Sequence, residues 1–366
     1  MDRRIYKVNS SSLEDILTPY DSSQVFVLCD ESLLADGERL LVNGGLPYPT
    51  MAVHASEENK SLETVIRVWN WLTEQGATRK ALLINVGGGV TCDIGGFVAA
   101  TYMRGIDYIN IPTTLLAMVD AAIGGKTGVN LYQRPTTNDQ RPILLKNRVG
   151  AFHLPKAVLI EPAFLQTLPK DELLSGYAEV LKTALLIGEE AFAKSLIVLE
   201  NNPAIFETQP RRYRDALINE CRAYKESIVA QDPTETGLRK VLNFGHTVGH
   251  ALEESGVRSH ESGLRSKHGY CVLWGMIAEL YLSVVLLGCP KEPLQQLTKV
   301  MLDYYGRPSC NCKEQKELID LMRKDKKNAC ESAINFTLLQ KAGDPKINQV
   351  ASEEVIEEAL DYLFSI

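Results

Sequence analysis

Residues 81–93 have the sequence ALLINVGGGVTCD, in which an apolar run ends in three consecutive glycines. The run from Ala81 to Val86 predicts a buried strand, and the residues from Ile94 to Met103 predict a helix. Glycines between a strand and a helix allow backbone N–H groups to approach a phosphate, and the helix dipole favours the same anion. The stretch therefore predicts a βα unit with a pyrophosphate site at Gly87–Gly89.

This glycine motif departs from the dinucleotide fingerprint G-x-G-x-x-G, because Cys92 stands at the position of the third glycine. The acidic residue expected about 20 residues further along is also missing. Asp30, which follows an earlier predicted strand, could bind the ribose instead. The alternative interpretation is a glycine turn that binds no ligand.

The segments around this unit continue the alternation of strand and helix. Residues 24–29 and 108–111 predict buried strands, which end at Asp30 and Pro112. Apolar residues recur at helical spacing over residues 62–72, with Ser61 as the expected N-cap and Gly76 as the stop signal. Strands that alternate with helices are typical of βαβ units. The first half is therefore expected to be a Rossmann-like α/β domain with a mostly parallel sheet.

From about Lys170 the sequence changes to long helical periodicities, such as Leu173–Leu186 and Tyr270–Leu287, with few strand signals. The length of 366 residues favours two domains. We expect an α/β nucleotide-binding domain over residues 1–169 and a mostly α-helical metal- and substrate-binding domain over residues 170–366. The stretch 132–145 is rich in Pro, Thr, Asn, Asp and Gln and predicts an exposed loop.

The composition is typical of a soluble enzyme, with 45% hydrophobic residues and eight scattered cysteines that predict reduced thiols. The net charge of −7 argues against a nucleic-acid partner, which would need clustered Lys and Arg. The N-terminus lacks an apolar signal segment. The closest approach to a membrane span, residues 278–289, is short and contains Glu279. We expect a soluble, cytoplasmic protein with no membrane partner.

A histidine pattern in the second half predicts a metal site. Asn243, His246 and His250 are spaced i, i+3 and i+7, which places them on one face if the segment is a single helix. Both histidines could bind the metal, or one could bind it while the other contacts substrate. A polar helix face without a ligand is the remaining alternative. His268 and Glu179 are the candidates that complete the site.

Glu179 has a charged neighbour, Lys182, at spacing i, i+3 in an otherwise apolar helical segment. Charges on an apolar face need partners. Both residues are therefore candidates for function.

Taken in order, these segments resemble the 3-dehydroquinate synthase family of sugar phosphate cyclases, from about Cys29 to Leu339. The motifs that carry the resemblance are GGGV at 87–90 with Asp93, YMRG at 102–105, PTTLLA at 112–117, Val119-Asp120, GGKTGVN at 124–130, AEVLK at 178–182, GLR at 237–239, LNFGHTVGH at 242–250, His268-Gly269 and DKK at 325–327. The series is long and highly specific. It implies a dehydroquinate synthase-like fold.

The resemblance also implies an activity. Such an enzyme, a lyase of the shikimate pathway, converts 3-deoxy-D-arabino-heptulosonate 7-phosphate into 3-dehydroquinate and inorganic phosphate. It uses NAD and a divalent metal, usually zinc, with cobalt as a possible substitute. A ring hydroxyl is oxidised transiently, phosphate leaves by elimination, the hydride returns, and an internal aldol step closes the carbocycle. The net redox change is zero, and a homodimer is implied.

Roles follow from the resemblance residue by residue. The implied metal ligands are Glu179, His246 and His268. The implied NAD-binding residues are Asp30, Glu57, Lys60, Gly88, Gly89, Asp93, Thr113, Thr114, Lys126, Lys146, Phe164 and Thr167. The implied catalytic and substrate-binding residues are Asp120, Lys126, Asn147, Lys182, Lys225, Arg239, Asn243, His250, Lys326 and, across a dimer interface, Arg104.

These residue types suit the implied chemistry. Lys126, Lys182 and Arg239 supply positive charge for a carboxylate and a phosphate. His250, one turn after His246, is placed to relay the proton of the oxidised hydroxyl. The resemblance implies that the substrate's own phosphate accepts the proton during elimination, so no separate strong base is expected.

Three rival interpretations remain. Cyclases that act on sedoheptulose 7-phosphate or glucose 6-phosphate tend to replace the equivalents of Lys126, Asn243 or His250, all of which are present here together with Arg239. A metal-dependent alcohol or glycerol dehydrogenase would share the glycine turn and the metal but would not need the anion-binding set. A binding protein that has lost catalysis is the third rival.

Three departures from the family pattern bear on individual residues. Leu131–Leu145 lengthens the usual short link before Lys146 and Asn147, so assigning these two residues assumes that an insertion bulges outward. Ser56 stands where a glycine usually precedes Glu57. Tyr270 stands where Glu is common, and neither change removes a metal ligand.

Overall fold

The chain divides into two units, Met1–Leu168 and Pro169–Ile366. The structure is a computed structural model. The residues that it describes are 4–7, 10–33, 48–133, 143–200, 211–259, 267–309, 312–323 and 333–366.

The first unit contains a six-stranded sheet in which all paired strands are parallel, with the order β1-β8-β5-β4-β2-β3. The strands of the unit are β1 (Arg4–Lys7), β2 (Val25–Asp30), β3 (Thr50–Val53), β4 (Leu82–Gly87), β5 (Asp107–Pro112), β6 (Lys126–Gln133), β7 (Ile143–Phe152) and β8 (Ala157–Ile160). Three of these strands coincide with the predicted ones to within one residue. The prediction of a Rossmann-like α/β fold with a parallel sheet is confirmed.

Helices α1 (Ser10–Leu17), α2 (Leu62–Glu74) and α3 (Gly89–Thr101) connect the strands of this unit. Ser61 caps α2 as expected, because its Oγ accepts the backbone N–H of Thr64 at 3.3 Å. Gly76 has a φ of 74°, which suits glycine just beyond a helix end. The predicted order of strand, turn and helix is confirmed, but helix α3 begins at Gly89 rather than at the predicted Ile94 and ends at Thr101 rather than at Met103.

Two glycines inside α3 allow it to pack closely, one on the parallel sheet and the other on strand β6. A Cβ atom at Gly95 would lie 1.9 Å from Oδ1 of Asn85 on β4, and one at Gly96 would lie 2.4 Å from Cγ2 of Thr127. In the usual fingerprint the third glycine provides this close helix–strand packing. Gly95 takes that role three residues beyond Cys92, which explains why the fingerprint is incomplete in the sequence.

Strands β6 and β7 form a separate antiparallel hairpin. Leu131 pairs with Leu145 and Gln133 with Ile143, so both described ends of the stretch predicted as a loop are strand. The prediction was wrong there because β-branched and apolar residues at these ends pair across the hairpin. Tyr132 is exposed, as predicted for the stretch, and residues 134–142 lie outside the described residues. The described part of the insertion therefore lengthens the hairpin.

The second unit is mainly helical. Its helices are α4 (Lys170–Ile187), α5 (Glu189–Glu200), α6 (Arg211–Gln231), α7 (His246–Ser255), α8 (His268–Leu287), α9 (Glu292–Val300), α10 (Cys312–Arg323) and α11 (Glu353–Ser365). Two small antiparallel sheets accompany them, one formed by β9 (Arg258–Ser259) and β10 (Pro308–Ser309), the other by β11 (Asn335–Lys341) and β12 (Asp344–Val350). The helical prediction is confirmed, although the β11–β12 hairpin was not predicted.

Helix α8 runs through the core of the second unit, with the residues from Cys271 to Leu280 buried. By length and composition this helix could cross a membrane, and among the described helices it is the one that passes that test. From the sequence pattern, residues 278–289 were instead the segment most similar to a membrane span. In the structure 67% of the apolar window is buried, as in the core helix of a globular unit.

Candidate functional site

Three side chains of the second unit converge in a cluster that could hold a metal ion. Glu179 lies on α4, whereas His246 and His268 are the first residues of α7 and α8. The Nε2 atoms of both histidines lie 3.5 Å from Oε1 of Glu179, and the ligand atoms all lie within 4.8 Å of one another. A carboxylate and two imidazoles suit zinc and related divalent metals, and three protein ligands leave a position for substrate. The structure thus brings the three predicted metal residues together.

Hydrogen bonds at the far side of each ring orient the two histidines. Nδ1 of His246 donates to the carbonyl oxygen of Phe244 at 3.1 Å, and Nδ1 of His268 donates to Oε2 of Glu253 at 3.0 Å. Since a proton on Nδ1 leaves the Nε2 lone pair for a metal, both rings present the correct atom to the cluster. Glu253 was missed at the sequence level, where only its place three residues after His250 could have pointed to it.

Burial alone would lower the pKa of His268, but the negative charge of Glu253 and the hydrogen bonds that Glu179 and Glu253 accept raise it to about 10. Metal ligation needs a neutral imidazole, so binding of a metal at His268 would release a proton.

Lys182 forms an ion pair with Oε2 of Glu179, one helical turn along α4. Both side chains are buried, at 1% and 0% exposure. The expectation that these two charges need partners is confirmed, because they partner each other. The pair places a cation directly beside the cluster.

His250 lies beside the cluster without belonging to it. Its ring centroid is 5.2 Å from that of His246 and 6.1 Å from that of His268. Of the two alternatives left open by the spacing, the geometry favours His246 as a ligand and His250 as a neighbour that can contact substrate.

The single-helix premise for Asn243 was wrong. Asn243 is the last residue of a 3₁₀ helix, Leu238–Asn243, and α7 begins only at His246. Gly245 separates the two with a φ of 77°, a left-handed conformation that ends the first helix before the second starts. Asn243 therefore does not share a helix face with His246 and His250.

The turn before Asn243 is built on two acidic residues that the sequence did not single out. The carboxylate of Asp232 accepts backbone N–H groups from Thr236 at 3.0 Å, Gly237 at 2.8 Å and Arg239 at 2.9 Å. Burial would raise the pKa of Asp232, but these donors lower it to about 2. Nη1 of Arg239, a buried residue, donates to the carbonyl oxygen of Pro233 at 2.6 Å. The turn thus fixes the predicted anion-binding arginine.

Glu235 is the second acidic residue of the turn before Asn243. It adopts a φ of 61° and accepts a hydrogen bond from Nδ2 of Asn243 at 2.8 Å. Lys225, on α6, is buried in the same unit. Lys326 lies outside the described residues.

In the first unit the glycine turn connects β4 to the start of α3. Gly88 is the N-cap of α3 and contributes no side chain to the cap. The backbone N–H of Thr113 donates to the carbonyl oxygen of Gly87 at 3.0 Å, and a Cβ at Gly88 would lie 3.1 Å from Cγ2 of Thr114. The structure therefore brings the predicted residues Gly88, Gly89, Thr113 and Thr114 together at the carboxyl ends of two neighbouring strands. This is where open α/β sheets bind ligands.

A charged network joins five predicted residues near this turn. Nζ of Lys60 lies 2.6 Å from Oδ2 of Asp93 and 2.6 Å from Oδ1 of Asn147. Nζ of Lys146 lies 3.8 Å from Oε1 of Glu57. Lys146 and Asn147 thus lie in the network although the insertion precedes them in the chain.

Asn130, which carried no predicted role, connects the two halves of this network. Its Nδ2 donates to Oε1 of Glu57 at 2.8 Å, and its Oδ1 accepts the backbone N–H of Asn147 at 2.9 Å. Asn147 has a φ of 52°, a conformation that a non-glycine residue adopts only when its surroundings hold it. Only its position at the end of the GGKTGVN motif could have indicated this role.

Asp30 lies at the end of β2, where its Oδ1 accepts hydrogen bonds from the backbone N–H and the hydroxyl of Ser32 at 3.0 and 2.9 Å. It lines a cavity of about 600 Å³ with Glu31, Ser32, His54 and Ala55. A carboxylate in such a cavity can accept hydrogen bonds from ribose hydroxyls.

The remaining predicted residues of the first unit lie on elements other than the glycine turn. Lys126 is the exposed first residue of β6, and Asp120 lies in a π-helical turn, Ala117–Ala121. Arg104 is exposed with a φ of 66°. Phe164 is buried in a 3₁₀ helix, and the hydroxyl of Thr167 donates to the carbonyl oxygen of Phe164 at 3.5 Å.

Comparisons with known proteins extend over nearly the whole chain. The family model described as 3-dehydroquinate synthase N-terminal matches residues 50–175, and the one described as 3-dehydroquinate synthase C-terminal matches residues 176–328. A protein named 3-dehydroquinate synthase from Parabacteroides distasonis is 40% identical over 360 residues, which is 98% of this chain and 96% of that protein.

Solved structures share the fold. One is 2-epi-5-epi-valiolone synthase (ValA) from Streptomyces hygroscopicus subsp. jinggangensis with NAD⁺ and Zn²⁺ bound, at a TM-score of 0.81 and 23% identity, covering 99% of this chain and 97% of that one. Another is 2-deoxy-scyllo-inosose synthase complexed with carbaglucose-6-phosphate, NAD⁺ and Co²⁺, at a TM-score of 0.76 and 22% identity, covering 95% and 94%. At these identities the likeness concerns the fold. Family models and sequence relatives together show that the chain belongs to the 3-dehydroquinate synthase family of enzymes.

Proposed function

We propose that this protein converts 3-deoxy-D-arabino-heptulosonate 7-phosphate into 3-dehydroquinate and inorganic phosphate, with NAD and one divalent metal, zinc or cobalt, as cofactors. The observation that carries the proposal is the cluster of Glu179, His246 and His268 with Lys182 beside it. A metal and a fixed positive charge at one place suit a substrate that carries a hydroxyl to be oxidised and negatively charged groups to be bound.

The residues of each unit fit the group assigned to it. In the first unit the backbone N–H groups at Gly88 and Gly89 would hold the pyrophosphate of NAD, and Asp30 would hold a ribose. In the second unit Glu179, His246 and His268 would hold the metal. When bound, NAD would supply a reversible hydride acceptor, and the metal would supply a Lewis acid for the oxidised hydroxyl. The proposed roles are thus a nucleotide-binding domain over residues 1–169 and a metal- and substrate-binding domain over residues 170–366.

The chain's own residues would bind the substrate and move one proton. Lys182, Lys225 and Arg239 carry positive charges for the carboxylate and the phosphate, and Arg239 is held by its contact with Pro233. His250 would accept the proton of the oxidised hydroxyl and later return it. The remaining proposed substrate contacts are Lys126, Asp120, Asn147, Asn243, Lys326 and Arg104.

We further propose that the enzyme acts in the cytoplasm as a homodimer, within the shikimate pathway that leads to chorismate and the aromatic amino acids. Gel filtration with light scattering tests the dimer. Loss of growth without aromatic amino acids, after deletion of the gene, tests the pathway.

The reaction is tested with purified protein, NAD, zinc and the heptulosonate phosphate. We expect release of stoichiometric phosphate and formation of 3-dehydroquinate without accumulation of NADH. Net NADH production would instead indicate a dehydrogenase of the alcohol or glycerol type. Phosphate release from sedoheptulose 7-phosphate, with none from the heptulosonate phosphate, would indicate the other proposed cyclase activity.

The ligand set is tested separately by His268→Ala. We expect this variant to lose both stoichiometric zinc and turnover, because two protein ligands do not hold the metal as three do. Retention of one zinc per chain would contradict the assignment.

A further inference from the structure

Two of the three proposed metal ligands stand at helix N-termini, which is an unusual place for a cation. His246 is the first residue of α7 and His268 the first of α8. A helix N-terminus carries the equivalent of about half a positive charge and favours anions. A divalent cation bound to these histidines therefore needs negative charge close to the helix ends.

The N-terminus of α7 receives its negative charge from a distant part of the sequence. Gly245 is its N-cap and offers no side chain, so the helix has no local capping group. Instead the carboxylate of Glu279, on α8, accepts backbone N–H groups from Gly245 at 2.6 Å, Thr247 at 3.0 Å and Val248 at 3.3 Å. These groups are among the donors that a helix start leaves without a partner. Glu279 supplies in one side chain what a local cap would supply.

Close packing of the two helices brings Glu279 into reach. A Cβ at Gly275 on α8 would lie 2.1 Å from the carbonyl oxygen of Gly245, and a Cβ at Gly245 would lie 2.4 Å from Cγ of Met276. Glu279 follows Gly275 by one helical turn, so its side chain points along the same face. The backbones of α7 and α8 can approach this closely only because glycine stands at both positions.

Glu279 is 0% exposed in α8, whose other buried residues are mainly apolar. Burying a carboxylate is costly unless hydrogen bonds compensate for the lost water. Two oxygens that accept three N–H groups match the acceptor pattern of an ionised carboxylate. A neutral residue of similar size could fill the space, so the charge itself requires an explanation.

We propose that Glu279 is a positioning residue of the metal centre. Its hydrogen bonds fix the first turn of α7 and thereby hold Nε2 of His246 opposite Glu179. Its negative charge also offsets the positive helix end beside the cation. The inference rests on the proposed metal site at Glu179, His246 and His268.

The test compares zinc affinity in the full-length protein, measured by competition with a chelator, for wild type, Glu279→Gln and Ser283→Ala. Ser283 lies one turn after Glu279, where its hydroxyl donates to the backbone carbonyl of Glu279 and accepts the N–H of Leu339. Its loss disturbs the same buried helix without touching α7. We expect E279Q to bind zinc about 10- to 100-fold more weakly, the range found when a group that supports a ligand is removed. We expect S283A to bind zinc as wild type does, even where its thermal stability falls.

Equal zinc affinity of E279Q and wild type would overturn the proposal, whatever the change in melting temperature, because a purely structural cap affects stability alone. If E279Q is not recovered as folded protein, Glu279→Asp decides the question. Its shorter carboxylate no longer reaches all three donors, so unchanged zinc affinity would overturn the proposal and weaker binding would support it. Failure of the wild-type protein to bind zinc, or unchanged binding by H268A, would contradict the proposed metal site instead.

Discussion

Oε2 of Glu253 lies 3.0 Å from Nδ1 of His268, while Nε2 of the same ring lies 3.5 Å from Oε1 of Glu179. The imidazole is thus held between two carboxylates, one on the side of the proposed metal and one behind it. A carboxylate behind a histidine ligand fixes its tautomer and makes Nε2 a stronger donor to a metal.

We therefore predict that Glu253→Gln weakens zinc binding by about 10- to 100-fold. The amide can still accept a hydrogen bond from Nδ1, but it no longer supplies the charge. Isothermal titration of the metal-free protein with zinc measures the change. A variant with wild-type affinity would show that the charge of Glu253 does not act on the metal.

Asn130 is predicted to control the binding of NAD through its neighbours. Asn130→Ala removes the buried amide that holds Glu57 and the backbone of Asn147. We expect a loss of about 1–3 kcal/mol in the free energy of unfolding. We also expect roughly tenfold weaker NAD binding, which corresponds to about 1.4 kcal/mol.

The matched control for this variant is Tyr132→Phe, on the same strand. It removes the exposed hydrogen bond from the Tyr132 hydroxyl to the carbonyl oxygen of Glu58. Fluorescence titration with NAD should give wild-type affinity for the control. Equal NAD affinity of both variants would contradict a positioning role for Asn130.

Gly95→Ala is predicted to destabilise the first unit. The added methyl group would lie 1.9 Å from Oδ1 of Asn85, so either α3 or the buried Asn85 side chain, which donates a hydrogen bond to Asn110, must move. Overpacking of this kind costs about 1–3 kcal/mol. In chemical denaturation the double variant Asn85→Ala/Gly95→Ala should be more stable than the sum of the single changes predicts, by about 0.5–3 kcal/mol. Simple additivity would mean that the two positions do not compete for space.

The lowered pKa of Asp232 predicts how the stability of the protein depends on pH. Its pKa falls to about 2 in the folded protein, from about 3.9 in an unfolded chain. A carboxylate whose pKa is lowered by folding stabilises the folded state. This contribution is complete when the pH is above the pKa of the unfolded chain, and it disappears as the pH falls through the pKa of the folded protein. Asp232→Asn should therefore be less stable than wild type at pH 5, and the difference should shrink between about pH 4 and pH 2. A difference in unfolding free energy that is constant over this range would contradict the account.

Sequence reasoning found the residues whose chemistry is explicit in a local motif. A triple glycine after an apolar run, and a histidine pair at helical spacing, each combine a residue type with a position relative to one element. Glu179 could be chosen because a charge in an apolar helix needs a reason. The same arguments located β2, β4, β5 and α2 to within one or two residues.

Residues that act through distant partners could not be found in this way. Glu279 is 34 positions from Gly245 in the chain, and Asn130 is 73 positions from Glu57. No periodicity connects such pairs, because the contact depends on how elements pack. The wrong prediction for Asn243 has a different cause. Its spacing from His246 and His250 indicates one continuous helix, but Gly245, in the left-handed conformation, interrupts that segment.

The hairpin formed by β6 and β7 has a consequence for how this enzyme can vary in length. Midway along the hairpin Asn130 holds the backbone of Asn147, and the described pairs from there to Gln133–Ile143 carry none of the proposed cofactor contacts. Residues added or removed between Gln133 and Ile143 are therefore separated from Asn147 by the pairs Leu131–Leu145 and Gln133–Ile143. We expect an epitope tag or a fluorescent label inserted there to leave the nucleotide turn undisturbed.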